Sequence, residues 1–191
     1  MTEALLEALG LKELTRAGWV RAGVPHPESV ADHSWGVAWL TLVLLPGDLD
    51  LARALSYAVL HDLPEVRVGD ITPSDGVHPA DKHAAERAAM TDICSALPNG
   101  QALLATWNAY EGQADAEARF VRQLDKLDMA LQAVRYGSDD LDLGEFLESA
   151  AARIDHPRLV PLMDALLATA DPSAQAQADG DQDHPIGQGH P

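Results

Sequence analysis

The chain has one cysteine, Cys94, among 191 residues. It cannot close a disulfide within itself, so a reducing cytosol is the expected compartment. Basic residues are scarce: 13 Lys and Arg face 30 Asp and Glu, for a formal net charge of −17. A binder of nucleic-acid polymer needs a basic face that displaces phosphate counterions, and this surface would repel DNA or RNA. An anionic membrane surface is disfavoured for the same reason. Long hydrophobic runs are missing too. The longest nearly uninterrupted stretch, Trp35 to Leu45, is about half of the ~20 residues a spanning helix needs and reads as a buried core helix. The N-terminus, MTEALLEALGLKEL, lacks the basic start, apolar run and cleavage site of a signal peptide, which again points to the cytoplasm. No repeat recurs at a period of about 20–50 residues. A small phosphorylated ligand remains open, provided its site brings local positive charge such as a metal ion.

What the sequence does have is apolar residues at helical spacing, and enough of them for one core at this length. Leu5, Leu6, Leu9 and Leu14 suit an N-terminal helix that breaks near Gly10. Residues 30–45 form a second helix, stopped by Pro46-Gly47, and 51–62 a third, with Pro64 marking its end or a kink. A turn-rich stretch, VRVGDITPSDGVHP (66–79), reads as a functional loop. Helices resume at 79–97, 101–112, 116–137, 143–153 and 157–170. No segment alternates with a strand period, so the expected fold is an all-α helical bundle with short loops. Residues 1–170 form the single domain. From Asp171 the chain carries four Asp, no Lys or Arg, and Ile as its only large apolar residue. Such a segment buries too little to offset ordering entropy and is expected to be a disordered acidic tail over 171–191.

Three segments put a His or Asp into helices that are otherwise apolar on one face: ESVADHSW (28–35), LHDLPEVRVGD (60–70) and RQLDKLDMA (122–130). Ser29 and Asp32 have capping-box spacing, so a helix starts there with His33 in its first turn. His61-Asp62 closes the helix of Leu55, Ala58, Val59 and Leu60. Asp125 stands four residues from both Val121 and Met129, on the buried stripe of its own helix. An ionised Asp is seldom buried unless it is paired or binds a metal. Singly each residue has an ordinary explanation: His61 as a helix-end cap, Asp125 paired with Arg122 or Lys126 toward solvent. Jointly, two imidazoles and two carboxylates at core-facing positions make a mixed N/O site suited to a divalent Mn, Fe, Co, Ni or Zn ion.

The order His33, His61-Asp62, Asp125 resembles the H…HD…D signature of HD-domain metal-dependent phosphohydrolases, and within them the HD-domain-containing 5′-deoxynucleotidases. The resemblance extends through GWV (18–20), PESVADHS (27–34), HDLPEVRVGDITP (61–73), YEGQADAEA (110–118), FVRQLDKLDMALQA (120–133) and the pair His156-Pro157. It implies the HD-domain helical bundle and one divalent metal ion (Mn, Co, Mg, Fe, Ni or Zn) on His33, His61, Asp62 and Asp125. It implies Glu65 and Asp70 as the acids that handle the attacking water and the leaving group, and Trp19 as a substrate-pocket residue. Gly18 stands where bacterial members often carry Arg, which leaves Arg16 and Arg21 as the cations able to meet the substrate. The implied substrate is a small nucleotide, and the implied assembly is a homodimer.

The chemistry agrees, because cleaving a phosphomonoester requires charge neutralisation at the phosphoryl oxygens and an activated water. Glu65 falls four residues after His61, on its side if the helix lasts that far. Asp70 follows Gly69, a hinge that permits close approach. Other readings use the same metal on nucleoside triphosphates, a di-iron oxygenase, or a non-catalytic metal-stabilised dimer module. The oxygenase needs extra ligands, for which His78 and His83, flanking Lys82, are the nearby candidates; surface histidines are their commoner explanation. His26 has no visible partner, and His184 and His190 lie in the tail. Trp35 and Trp39, at i and i+4, are read as core or dimer contact rather than a base-stacking platform.

Overall fold

The computed structural model describes residues 1–138 and 141–170. The acidic tail expected over 171–191 lies outside the described residues. Among the described residues the chain folds into ten α-helices with no β-sheet. These are α1 (Thr2–Ala8), α2 (Ala17–Arg21), α3 (Val30–Leu44), α4 (Leu51–Leu60), α5 (Glu65–Val68), α6 (Pro79–Ser95), α7 (Gly100–Glu111), α8 (Ala116–Tyr136), α9 (Gly144–Ala151) and α10 (Val160–Ala170). Single 3-10 turns at Leu9–Lys12 and Pro73–Asp75 complete the set. No helix among the described residues is long and apolar enough to cross a membrane.

Local chemistry sets the helix starts. Ser29 and Asp32 form a reciprocal capping box at α3, satisfying amide donors that the first turn leaves open. Asp50 caps α4 and Asp115 caps α8 through the amides of Arg53 and Ala118. Asp115 also accepts the Tyr57 hydroxyl at 2.7 Å, so one side chain locks α8 to α4.

Helices α3, α4 and α8 pack on one another at the centre. The buried stripe of α8 runs Ala118, Val121, Leu124, Asp125, Ala130 and Ala133. A smaller core of Leu11, Val30, Leu63, Met90, Ile93, Cys94 and Trp107 lies beneath α5, α6 and α7. Trp107 Nε1 donates to the His61 carbonyl at 3.1 Å, fixing the end of α4 against that second core. The His61-Asp62 pair thus sits where the two cores meet.

The observed helices depart from the sequence expectations in three places. The chain does not continue as one helix to Glu65: α4 ends at Leu60 with His61 as its C-cap, residues 61–64 turn, and Glu65 opens the separate helix α5. Pro64 has no amide to continue the ladder, but its fixed φ suits the residue before a new helix. Part of the expected loop, Val66–Val68 and Pro73–Asp75, is therefore helical. The five-residue helix α2 was not expected, because a single turn is too short to show a period. Third, α3 is not a buried core helix throughout: Trp35 is 70% and Trp39 52% exposed, with Leu42 and Val43 beside them. Those tryptophans are not core residues.

Candidate metal centre and its cavity

Helix α3 brings His33 inward in its first turn, with no exposed surface. Its Nδ1–H donates to Asp128 Oδ2 at 2.7 Å. A carboxylate only accepts, so this bond fixes the tautomer and leaves Nε2 as the free atom. His61, at the end of α4, repeats the arrangement: Nδ1–H donates to the Ala58 carbonyl at 2.9 Å. The two Nε2 atoms face each other at 3.4 Å. Asp62 brings Oδ2 to 3.1 Å from His61 Nε2 and 3.7 Å from His33 Nε2. Asp125, from α8, places Oδ1 3.4 Å from His33 Nε2, while its Oδ2 meets Lys126 Nζ at 3.0 Å. The four residues singled out in the sequence therefore come together from α3, from the end of α4 and the turn after it, and from α8.

Two imidazole lone pairs and two carboxylates at these distances repel one another unless a proton or a cation lies among them. Asp62 Oδ2 is buried and has no hydrogen-bond partner. Burial and the Arg16 charge pull the His33 imidazolium down, but Asp125 and Asp128 outweigh both and push it up to about 9. Burial raises the Asp62 carboxyl, yet His61, His33 and Arg16 hold it below the usual carboxylate range. Asp125 resists its burial likewise, through Lys126 and His33. This cluster concentrates negative charge and lone pairs around one point, and its donor set fits a divalent first-row metal.

One backbone feature makes the arrangement possible. A Cβ at position 36 would overlap the Asp128 carboxylate. Gly36, one turn beyond His33 on α3, leaves the space through which Asp128 reaches His33. Asp128 was missed in the sequence, although its spacing of three from Asp125 puts both carboxylates on one side of α8.

The cluster opens into a cavity of about 940 Å³. Glu65 is 3% exposed and its Oε2 has no hydrogen-bond partner. Burial, with the charges of Asp62 and Asp70, pushes its carboxyl up to about 10. Gly69, at φ 82° and ψ 164°, ends α5 in a region essentially closed to side-chain-bearing residues. The chain then swings Asp70 back to accept the Ala17 amide at 2.7 Å and to face Arg16 Nη1 at 3.6 Å. Arg16 also stands 3.7 Å from Asp62. Of the two arginines considered in the sequence, Arg16 reaches the cluster. Arg21 lies at the cavity rim, tied to Thr72 and Asp75. Trp19 is 2% exposed, donates to Glu28 at 2.9 Å and packs against Tyr136 and Phe146. It therefore serves as a wall rather than a free stacking face.

Cations gather here. Six of the chain's 13 Lys and Arg residues, Arg16, Arg21, Lys82, Arg122, Lys126 and Arg153, line this one cavity. Seven carboxylates, Asp62, Glu65 and Asp70 among them, line it as well, and a divalent cation on the His33–His61–Asp62–Asp125 cluster would tip that balance toward an anionic ligand. Of the remaining histidines, His83 reaches the cavity wall, whereas His78 is the exposed N-cap of α6.

A model of the HD domain family matches residues 9–163, which include all of these site residues. Over 175 residues the chain is 38% identical to human 5′-deoxynucleotidase HDDC2, covering 88% of this chain and 85% of the human one. The bovine 5′-deoxynucleotidase HDDC2 is 40% identical over 163 residues, covering 82% and 78%. The crystal structure of a Pyrococcus horikoshii protein superposes with a TM-score of 0.73 at 35% identity, covering 89% of this chain and 98% of that one.

Proposed function

The chain belongs to the HD domain family, and on that premise we propose that it is a metal-dependent 5′-nucleotidase cleaving deoxyribonucleoside 5′-monophosphates to nucleoside and phosphate. The observation that carries this reading is the meeting of His33, His61 and Asp62, with Asp125 Oδ1 3.4 Å from His33 Nε2, at a cavity into which Glu65 brings a buried Oε2 that has no hydrogen-bond partner. His33, His61, Asp62 and Asp125 hold the ion. When bound, it supplies charge neutralisation for the phosphoryl oxygens and acidifies a water.

The chain's own residues do the rest. Arg16, held between Asp62 and Asp70, offers its guanidinium to the phosphate dianion. A divalent cation on the neighbouring donors would offset the Asp62 charge that helps keep the Glu65 carboxyl protonated. The ionised Glu65 takes the proton of the attacking water as the bond from oxygen to phosphorus forms. The P–O5′ bond breaks, and a proton returns to the leaving 5′ oxygen through the Glu65 and Asp70 carboxyls. Protons therefore balance, and the enzyme ends as it began. Trp19 and Phe146 give the nucleoside an apolar wall against which water is excluded.

We also infer a cytoplasmic homodimer. The support is the lone, buried Cys94 and the outward stripe of Trp35, Trp39 and Leu42 on α3, an apolar ridge suited to a second copy. The test is phosphate release by metal-stripped protein reloaded with Mn, Co, Mg or Zn, on a panel of deoxynucleoside mono- and triphosphates. Release from monophosphates with one or more metals is expected. Release from triphosphates alone would overturn the substrate reading.

A further inference from the structure

The part of the cavity wall built by α6 and α7 carries a second group of donors that the reaction above does not use. His83 and Glu86 lie one turn apart on α6, and Glu111 ends α7. One ring nitrogen and two carboxylate oxygens from these three side chains lie within 4.8 Å of one another. The His83 ring is stacked on Trp107 at 5.9 Å and 11°, so its edge is presented to the group, with Nδ1 3.4 Å from Glu111 Oε2. Glu86 is 9% exposed. The cation beside it, Lys82, stands 3.4 Å away and gives a hydrogen bond to the Ile71 carbonyl instead. Glu111 has Arg122 at 3.7 Å.

These spacings matter. Lys126–Asp125 and Arg53–Asp115 close to hydrogen-bond distance, at 3.0 and 3.1 Å, whereas Arg16 stands 3.6 Å from Asp70 and 3.7 Å from Asp62 beside the four-donor centre. His83 Nδ1 and Glu111 Oε2 stay 3.4 Å apart, the separation that His33 Nε2 keeps from His61 Nε2 and from Asp125 Oδ1. Donors each about 2.1 Å from a tetrahedral ion lie about 3.4 Å from one another. A buried carboxylate that shares its cation is also short of positive charge, and burial raises the Glu86 carboxyl accordingly.

We propose that His83, Glu86 and Glu111 form a second divalent-cation site, separate from the four-donor centre and facing the same cavity. One imidazole and two carboxylates suit Mn or Zn. Three protein donors, one of them on a half-exposed histidine, leave coordination positions open. Lys82 and Arg122 compete for the two carboxylates, so the second ion binds more weakly than the first. The site stands independently of the nucleotidase reading.

The experiment is Mn²⁺ titration of the metal-stripped full chain, with free Mn²⁺ followed by electron paramagnetic resonance and no substrate present. Two ions per chain are expected, one tight and one weaker. Asp125→Ala should remove the tight ion and keep the weak one. His83→Ala, and the size-conserving Glu111→Gln, should weaken the second ion by at least about tenfold and leave the first unchanged. A wild-type stoichiometry of one would overturn the proposal. So would a second ion unaffected by both α6–α7 substitutions, which would locate it elsewhere on the chain.

Discussion

On one side of α3, His33 is wholly buried and Val37, Leu40 and Thr41 pack inward; on the other, Trp35 and Trp39 stand 70% and 52% exposed. The inner side hides a polar ring, and the outer side shows two of the largest apolar ones. Each inverts the usual preference of its residue type. The inward inversion is settled within the chain, because Asp128 accepts the Nδ1 proton and the remaining nitrogen faces carboxylates. The outward one has no such partner among the described residues. What this teaches is that the two sides answer to different things, the inner to the ion its donors fit and the outer, on the homodimer proposed above, to a second copy of the chain. They should therefore fail differently.

The largest effect is expected on the inner side. Asp125→Ala removes a donor to which His33 is closely apposed, and elemental analysis should find the tight ion lost together with phosphate release. Full metal content in that variant would strike Asp125 from the ligand set. Glu65→Ala should be next, keeping the ion but lowering turnover by about 10²–10⁴-fold, the usual cost of losing a general base. Near-normal turnover would return Glu65 to the role of a buried structural acid.

Asp128→Asn should weaken metal binding by about 10–100-fold, since it loosens the ligand it orients. A distinct pH signature goes with it. His33, pushed up to about 9 in the metal-free chain, must shed its proton before Nε2 can take a metal. Apparent Mn²⁺ affinity should therefore climb with pH, by up to about tenfold per unit, and level off above about 9. In Asp128→Asn the plateau should begin at lower pH, because a carboxylate that raised the imidazole is gone. A pH-independent affinity in wild type would refute this account. The same raised value means that charged His33 stabilises the metal-free fold fully below about 6.5, and that this contribution fades as pH rises through about 9.

The smallest effect on chemistry should come from the outer side. The pair Trp35→Ser and Trp39→Ser should halve the mass seen by light scattering, from about twice 20.4 kDa to a monomer. The tight ion and its affinity should be retained. An unchanged mass would remove α3 from the dimer contact.

Much of this was legible in the sequence, for physical reasons that differ by residue. The capping box at Ser29 is a local pattern, so the start of α3 could be read directly, and with it the inward turn of His33. Asp125 showed itself by standing on an apolar stripe. The four donors could be gathered because their residue types are costly to bury for any other purpose. Short elements could not be read: α2 and α5 are a single turn each, and no periodicity fits in four or five residues. Glu65 was placed on the side of His61 only if that helix lasted so far, and a turn in fact separates them. The orientation of Trp35 was hidden because α3 is apolar nearly all round, and such a helix does not say which face meets solvent. Asp128 was hidden differently, since it acts through His33, which only the packing of α3 on α8 brings to it; His83 was named as a candidate ligand, but Glu86 and Glu111, which the packing of α6 on α7 sets beside it, were not.

Gly36 bears on anyone who would transplant this centre. Moving His33, His61, Asp62 and Asp125 onto another helical scaffold carries over the donors but not the ring orientation of His33. That orientation needs Asp128, and Asp128 needs a bare α-carbon opposite it. The transferable unit is thus six positions, with a His-x-x-Gly on one helix facing an Asp-x-x-Asp on its neighbour. Shifting either helix by one residue against the other would bring a methyl group or larger into the gap. A graft of the four donors alone should give a loose, promiscuous metal binder, and adding the last two positions should restore selectivity among ions.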